Sequence, residues 1–275
     1  MIKDLLLIVE NSERADPTIM AAVAMAERLD AHLTLEILSP GVALVPGLAP
    51  FTSLYILEAD LARDEAARMQ TVAAMVKASK AKVSVVGIHG DLDVVAYRVG
   101  VAGPIADLIL IGDADVWETS WLRRRAIETI ILGGGTPLLI LNSAAPAASI
   151  RHAAIGWKDT AEARRAIHDL VAIVEAGGMI SVVAIRGVDH DAAEAASSVG
   201  EVVQHLRRHG FVSEAHVLLE DGHSEAEALE AFALRHDAEL LAIGAFSHSR
   251  LREVIFGGVT RSLIERPWLP LLLSR

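Results

Sequence analysis

The stretch "AELLAIG", Ala238–Gly244, has a counterpart in the first half of the chain, "ADLILIG" at Ala106–Gly112. Each copy is a small residue, an acid, an aliphatic run and a closing glycine, a pattern typical of a buried strand that ends in a turn. A proline opens a second aliphatic run after each copy, in Thr136–Asn142 and in Leu269–Arg275, at nearly the same distance from the glycine. The two matched landmarks predict an internal repeat.

The earlier part of each copy also matches. "LLLIVENSE" (Leu5–Glu13) and "AAIGWKDTAEARRAI" (Ala153–Ile167) both predict a strand, a polar turn and a helix, with Asp159 or Thr160 as the cap in the second copy. Further strands are predicted at Ala31–Leu38, Lys82–Ile88, Gly178–Ile185 and Val212–Leu219, and helices at Leu57–Ala78, Leu92–Val101, His190–His209 and Ser224–His236.

Alternating strands and helices predict an α/β fold, with two tandem doubly wound parallel-sheet domains. The small, proline-containing segment Asn142–His152 suits a linker. We expect domain 1 at residues 1–143 and domain 2 at residues 152–275, each of ordinary domain size.

Composition narrows the functional class. Hydrophobic residues make up 52% of the chain and aromatic residues 4%, as expected for aliphatic strands and alanine-rich helices. The chain has no cysteine, which excludes disulfides and cysteine–zinc sites, and we expect a cytoplasmic protein. The net charge of −11 disfavours nucleic acid and anionic lipid as partners.

Two uncharged stretches, Ile37–Leu57 and Thr129–Ile150, contain several prolines and glycines, so neither is predicted to span a membrane. We interpret the first as a strand end followed by an apolar loop. The second is interpreted as a helix end, a strand and a linker.

A candidate ligand loop follows Gly244, with the spacing Gly244-x2-Ser247-x9-Gly257-Gly258-Val259-Thr260. A helix beginning near Gly257 would present free N–H groups and the positive end of its dipole to an anion. The alternative is an ordinary loop closure before a helix. No lysine follows the glycines, so the loop is not a Walker P-loop and offers no evident means of transferring a phosphate.

This spacing resembles the G-x2-G-x9-G-[S/T] loop of the ATP-binding branch of the universal stress protein family. "GWKDTAEARRAI" and "FGGVTRSLIERPWLPLLL" in the second half are also similar to that family. The resemblance implies two tandem Rossmann-like sandwiches of the adenine nucleotide alpha hydrolase type, a role in the stress response, and ATP or AMP, with or without Mg²⁺, as the ligand. The residues that it implies at the nucleotide are Gly156, Trp157, Lys158, Ile185, Ile243, Gly244, Ser247, His248, Gly257, Gly258, Val259 and Thr260.

The sequence departs from the family pattern at several places. Ser247 replaces the second glycine, Gly258 stands where the family has Ser or Thr, and the usual aspartate after the first strand is Lys158 in the second half and Glu10 in the first. Lys158 is either a solvated lysine or a positive charge near phosphates. After Gly112 the first half has no spaced glycines, and it carries Asp113 and Asp115, which would repel a phosphate. We predict that the first domain binds no nucleotide through this loop, and that Gly133–Gly135 is a helix end and turn.

Two rival functions remain open: a ligand-free scaffold or interaction module, and a slow nucleotide hydrolase. No catalytic residue or metal ligand is assigned, because no nucleophile elbow or HExxH motif is present. His205 and His209 are interpreted as part of a surface helix face, and His248 as either a ligand contact or an exposed tip.

The closing strand of each half suggests a partner. Pro137–Asn142 and Leu269–Ser274 are short and apolar, so we expect them to pair with each other and form a pseudo-dimer of the two domains within one chain. A homodimer is the other arrangement considered, and neither nucleic acid nor a membrane is expected as a partner.

Overall fold

The computed structural model describes residues 1–40, 51–90, 105–133, 135–142, 149–186, 192–219, 222, 224–245, 258–265 and 267–275. The chain forms two compact units, Ile2–Thr136 and Pro137–Arg275. The closing strand of the first half thus lies in the second unit. The domain limits of 1–143 and 152–275 stay a prediction.

The first unit contains four parallel strands in the order β3-β2-β1-β4. Its strands are β1 (Asp4–Glu10), β2 (His32–Pro40), β3 (Lys82–Gly90) and β4 (Leu108–Gly112). Its helices are α1 (Asp16–Leu29), α2 (Phe51–Val76) and α3 (Ser120–Gly133), with short 3-10 turns at Glu13–Ala15 and Ala114–Val116. Every residue of β4 is buried, as expected for a strand of a parallel sheet that is covered on both faces.

The second unit contains six strands in the order β5-β10-β9-β6-β7-β8. All neighbours are parallel except β5 and β10, which are antiparallel. The strands are β5 (Leu138–Leu141), β6 (His152–Gly156), β7 (Met179–Arg186), β8 (Val212–Leu219), β9 (Leu240–Gly244) and β10 (Leu271–Ser274). The helices are α4 (Ala161–Val171), α5 (Ala192–Arg208), α6 (Glu225–Arg235) and α7 (Gly258–Glu265).

The repeat predicted from the sequence is present in the topology. The order β3-β2-β1-β4 of the first unit recurs as β8-β7-β6-β9 in the second. The registers agree as well, because Ile8 pairs with Ile111 in the first unit and Gly156 pairs with Ile243 in the second. The predicted α/β class, with mostly parallel sheets built by alternating strands and helices, is confirmed.

Local capping explains where several helices begin. Thr160, rather than Asp159, caps α4, because its hydroxyl accepts a hydrogen bond from the Ala163 N–H at 3.2 Å. Ser224 and Glu227 form a reciprocal capping box at the start of α6. These caps satisfy backbone donors that have no partner inside the helix.

One boundary differs from the sequence prediction. Residues 51–57, interpreted above as part of an apolar loop, form the first turns of α2. A proline restricts the residue before it rather than the one after it, so Pro50 does not prevent a helix from starting at Phe51. The remainder of that loop and the helix expected at Leu92–Val101 lie outside the described residues.

The predicted pairing of the two closing strands is confirmed. Leu271, Leu272 and Leu273 of β10 are opposite Ile140, Leu139 and Leu138 of β5. The Asn142 side-chain amide fastens the end of this pair by donating to the Pro267 carbonyl at 2.9 Å. The pairing leaves β10 with a neighbour on each side and covers an apolar edge.

Candidate functional site

The carboxyl ends of β6 and β9 meet at the point where the strand order of the second unit reverses. The chain proceeds from β6 to β7 on one side, while β9 lies on the other side of β6. Ligands of open parallel sheets bind beyond the carboxyl ends at such a switch point. The candidate residues Gly156 and Ile243 are register partners there, and Gly244 is the last residue of β9.

Both glycines at this point allow close packing of helices. A Cβ on Gly244 would lie 2.5 Å from the Ala163 nitrogen, in the first turn of α4. A Cβ on Gly156 would lie 2.9 Å from Cδ1 of Leu229 on α6. Gly244 therefore has a packing role, which brings the start of α4 against the end of β9.

The two residues after β6 face different surroundings. The Trp157 backbone N–H donates to the Val183 carbonyl at 2.7 Å, and its indole N–H donates to the Ser198 hydroxyl of α5 at 2.9 Å. These two bonds hold Trp157 in a half-buried position next to α5. Lys158 is exposed and forms no ion pair with any residue in the described ranges. Ile185 is half-buried near the carboxyl end of β7.

The helix predicted to start near Gly257 is α7, which begins at Gly258. Val259 is half-buried, and Thr260 is 7% exposed, so its side chain is directed into the protein. Ser247, His248 and Gly257 lie outside the described residues. The structure thus places Gly156, Trp157, Lys158, Ile243 and Gly244 at the switch point.

In the first unit a carboxylate of the protein itself occupies the start of a helix. Glu10, at the end of β1, is 5% exposed. Its Oε2 accepts hydrogen bonds from the Glu118 N–H at 2.7 Å and the Thr119 N–H at 2.9 Å, and its Oε1 accepts from the Thr119 hydroxyl at 2.6 Å. These donors immediately precede α3, so Glu10 satisfies the groups that would otherwise attract an anion.

A buried arginine lies at the carboxyl end of β4 in the same unit. Arg123 of α3 is 5% exposed, and its Nε donates to the carbonyl of Gly112, the last residue of β4, at 3.1 Å. Burial lowers the pKa of Arg123 to about 10, against the opposing effect of Asp113 and Asp115, so the guanidinium stays charged at neutral pH. Asp113 also accepts from the Asp115 N–H at 3.1 Å and caps the adjacent 3-10 turn.

The matched registers make Glu10 and Lys158 equivalent positions. Glu10 is two residues beyond Ile8, the partner of Ile111, and Lys158 is two residues beyond Gly156, the partner of Ile243. An acid in the first unit is therefore replaced by a base in the second. The first switch point contains a built-in anion, whereas the second presents a cation.

Comparison with solved structures identifies the architecture. Nearly the whole chain, 99%, matches 96% of a universal stress protein from Archaeoglobus fulgidus DSM 4304, at a TM-score of 0.77 and 14% sequence identity. This is the tandem universal stress protein fold. A universal stress protein candidate from Pseudomonas aeruginosa UCBPP-PA14 matches 99% of the chain over 93% of its own length, at a TM-score of 0.61 and 13% identity. No family model and no curated protein matches the sequence. The resemblance predicted from the sequence is confirmed at the level of the fold.

Four contact partners within this universal stress protein fold were not predicted from the sequence. The sequence showed Glu10 as a replacement for the family's aspartate, but not its bonds to Glu118 and Thr119, which are 108 and 109 residues away. Ser198 and Leu229, which support Trp157 and Gly156, were also missed. The turn residues "ET" before α3 were the available signal, because such a helix start needs an acceptor.

The histidines of the second unit form clusters. The His205 and His209 rings lie 4.5 Å apart, and His168 of α4 lies 5.8 Å from His205. Within the described ranges, no three His, Cys, Asp or Glu side chains are arranged to hold a metal ion. No helix in the same part of the chain has the length and hydrophobicity to cross a membrane.

Proposed function

We propose that this chain is a tandem universal stress protein whose second unit binds an adenine nucleotide, ATP or AMP, at the carboxyl ends of β6 and β9. The nucleotide serves as a sensed or stabilising ligand rather than as a substrate. The first unit binds none, because its own side chains fill the corresponding place.

The observation that carries this proposal is the charge reversal between Glu10 and Lys158. In the first unit Glu10 supplies the negative charge that a helix start attracts. In the second unit the equivalent Lys158 is exposed and has no carboxylate partner among the described residues. A lysine in that position attracts a phosphate-bearing ligand.

The geometry supports the position of the ligand. Gly156 and Gly244 bring α4 and α6 close to the ends of their strands, which leaves the segment from Trp157 to Thr160 at the mouth of the switch point. The capped start of α4 and the start of α7 both lie on segments that follow these strand ends. Backbone N–H groups and Lys158 are the donors proposed for the phosphates.

Isothermal titration calorimetry of the full-length protein with ATP and with AMP tests the proposal. Lys158→Glu is expected to weaken nucleotide binding by about tenfold or more, because it replaces attraction by repulsion. Lys77→Glu is the matched control, since Lys77 is an exposed lysine of the first unit, and it should leave the affinity unchanged. Absence of both heat and a thermal shift at millimolar nucleotide would favour the scaffold function instead.

A further inference from the structure

A cleft in the first unit lies at the amino ends of the strands, whereas Glu10 lies at the carboxyl end of β1. The cleft has a volume of about 390 Å³, and its charged lining residues are Lys3, Glu27, Asp30, Lys80 and Lys82. The seven residues of β1 separate Lys3 from Glu10 by about 23 Å, at about 3.3 Å per residue. The cleft is therefore distinct from the switch point.

Lysine is rare in this protein and concentrated at this cleft. The chain has five lysines and a net charge of −11, and three of the five line the cleft. Parallel pairing explains why the lysines lie together, because the amino ends of β1, β2 and β3 are side by side. His32 pairs with Lys82 on one side, and its N–H donates to the Lys3 carbonyl at 2.8 Å on the other.

The two carboxylates of the cleft are engaged by the protein. Asp30 accepts from the Lys3 ammonium at 2.8 Å. Glu27 Oε1 accepts from the Ser79 hydroxyl and from the Lys80 N–H, both at 2.7 Å. The bond to Ser79 is the main cause that lowers the pKa of Glu27, and the bond to Lys3 does the same for Asp30.

The same bonds fix the turn that carries Lys80 and precedes Lys82. The Ala81 N–H donates to the Ser79 hydroxyl at 2.9 Å, so residues 79–81 are held by Glu27 and by each other. Lys80 lies on this turn and Lys82 is the first residue of β3. Both are exposed and form no ion pair with any residue that the structure describes. Lys80 lowers the pKa of the Glu27 carboxyl and Lys82 lowers that of Asp30 through their charges, but three ammonium groups against two carboxylates leave the cleft lining with a net positive charge. The fixed turn lowers the entropic cost of binding an anion there.

We infer that this cleft binds a compact anion with at least two acidic groups, either phosphates or carboxylates. Lys80 and Lys82 provide the main attraction, and Lys3, already shared with Asp30, provides a further donor. His32 also lines the cleft, and its Nε2 lies 2.9 Å from the Ser84 hydroxyl. The site is independent of nucleotide binding in the second unit.

Titration of the ¹⁵N-labelled full-length protein with inorganic pyrophosphate and with citrate tests the inference. Both probes should shift the amides of Asp30 to His32 and Ser79 to Lys82, and the tighter probe identifies the acidic group preferred. The variant K80Q/K82Q should weaken the better probe by about tenfold or more, while K77Q, which changes an exposed lysine outside the cleft lining, should not. Added salt should weaken the binding as well.

The inference is overturned if these amides do not shift, or if K80Q/K82Q binds as tightly as the wild type. If K80Q/K82Q unfolds early, K82Q alone decides, because Lys82 is exposed and its substitution removes no ion pair formed with the described residues. K158Q separates this site from the proposed nucleotide site. It should leave the shifts at Ser79 to Lys82 intact even if nucleotide binding is lost.

Discussion

Replacing Glu10 tests whether the first unit contains its own anion. Glu10→Ala removes an acceptor of three hydrogen bonds and leaves the donors of Glu118 and Thr119 without a partner at the start of α3. A hydrogen bond to a charged group contributes about 1.5–3 kcal/mol, and loss of a helix cap costs about 1 kcal/mol. Since these donors are only partly buried and water replaces some of the bonds, we expect a loss of about 3 kcal/mol in the free energy of unfolding.

Urea denaturation followed by circular dichroism measures this loss, and hydrogen exchange of the Thr119 amide assigns it to the first unit. Glu10→Gln retains one carbonyl acceptor and should cost about half as much. The matched control is Lys158→Ala at the equivalent exposed position, which should change stability by less than about 0.5 kcal/mol. A Glu10→Ala protein within about 0.5 kcal/mol of the wild type would refute the capping role.

Three further outcomes are expected. Gly244→Ala places a Cβ 2.5 Å from the Ala163 nitrogen and should lower the free energy of unfolding in urea by about 1–3 kcal/mol. Gly200→Ala, in a helix where nothing obstructs a Cβ, should raise the free energy of unfolding slightly. Equal effects of the two substitutions would contradict the packing role of Gly244. Thr160→Ala removes the cap of α4 and should cost about 1 kcal/mol, with Thr160→Ser restoring most of it, as thermal melts would show. Burial, and then the charge of neighbouring histidines, lowers the pKa of His205 and His216, so as the pH falls the unfolded state takes up protons before the folded state does. The contribution of these histidines to the free energy of unfolding should be complete above about pH 6.5 and should be lost as the pH falls through their folded-state pKa values. A free energy of unfolding that does not change with pH in this range would contradict the expectation.

The sequence was sufficient for the parts of the fold that depend on local pattern. The glycines at Gly112 and Gly244 predicted two strand ends, and the aliphatic runs after them predicted the two strands that pair as β5 and β10. Hydrophobic alternation with helical segments then restricted the topology to a doubly wound α/β class.

The candidate site was less accessible to sequence reasoning, because its contacts join distant segments. The interpretation of Gly244 as part of a ligand loop did not include the first turn of α4 packing on it. Glu10 was identified as a departure from a family pattern, but its partners at Glu118 and Thr119 follow from the tertiary arrangement of β1 and α3. The start of α2 at Phe51 was missed because a proline before a helix resembles a loop signal.

The most direct test of the central claim is a ¹⁵N-resolved titration of the full-length protein with AMP. We expect shifts at the amides of Gly156 to Thr160 and at Gly244, with no change at Asn11, Glu118 or Thr119, where Glu10 already occupies the equivalent place. Shifts at the first-unit amides, or none at Gly156 to Thr160 at millimolar AMP, would contradict the central claim.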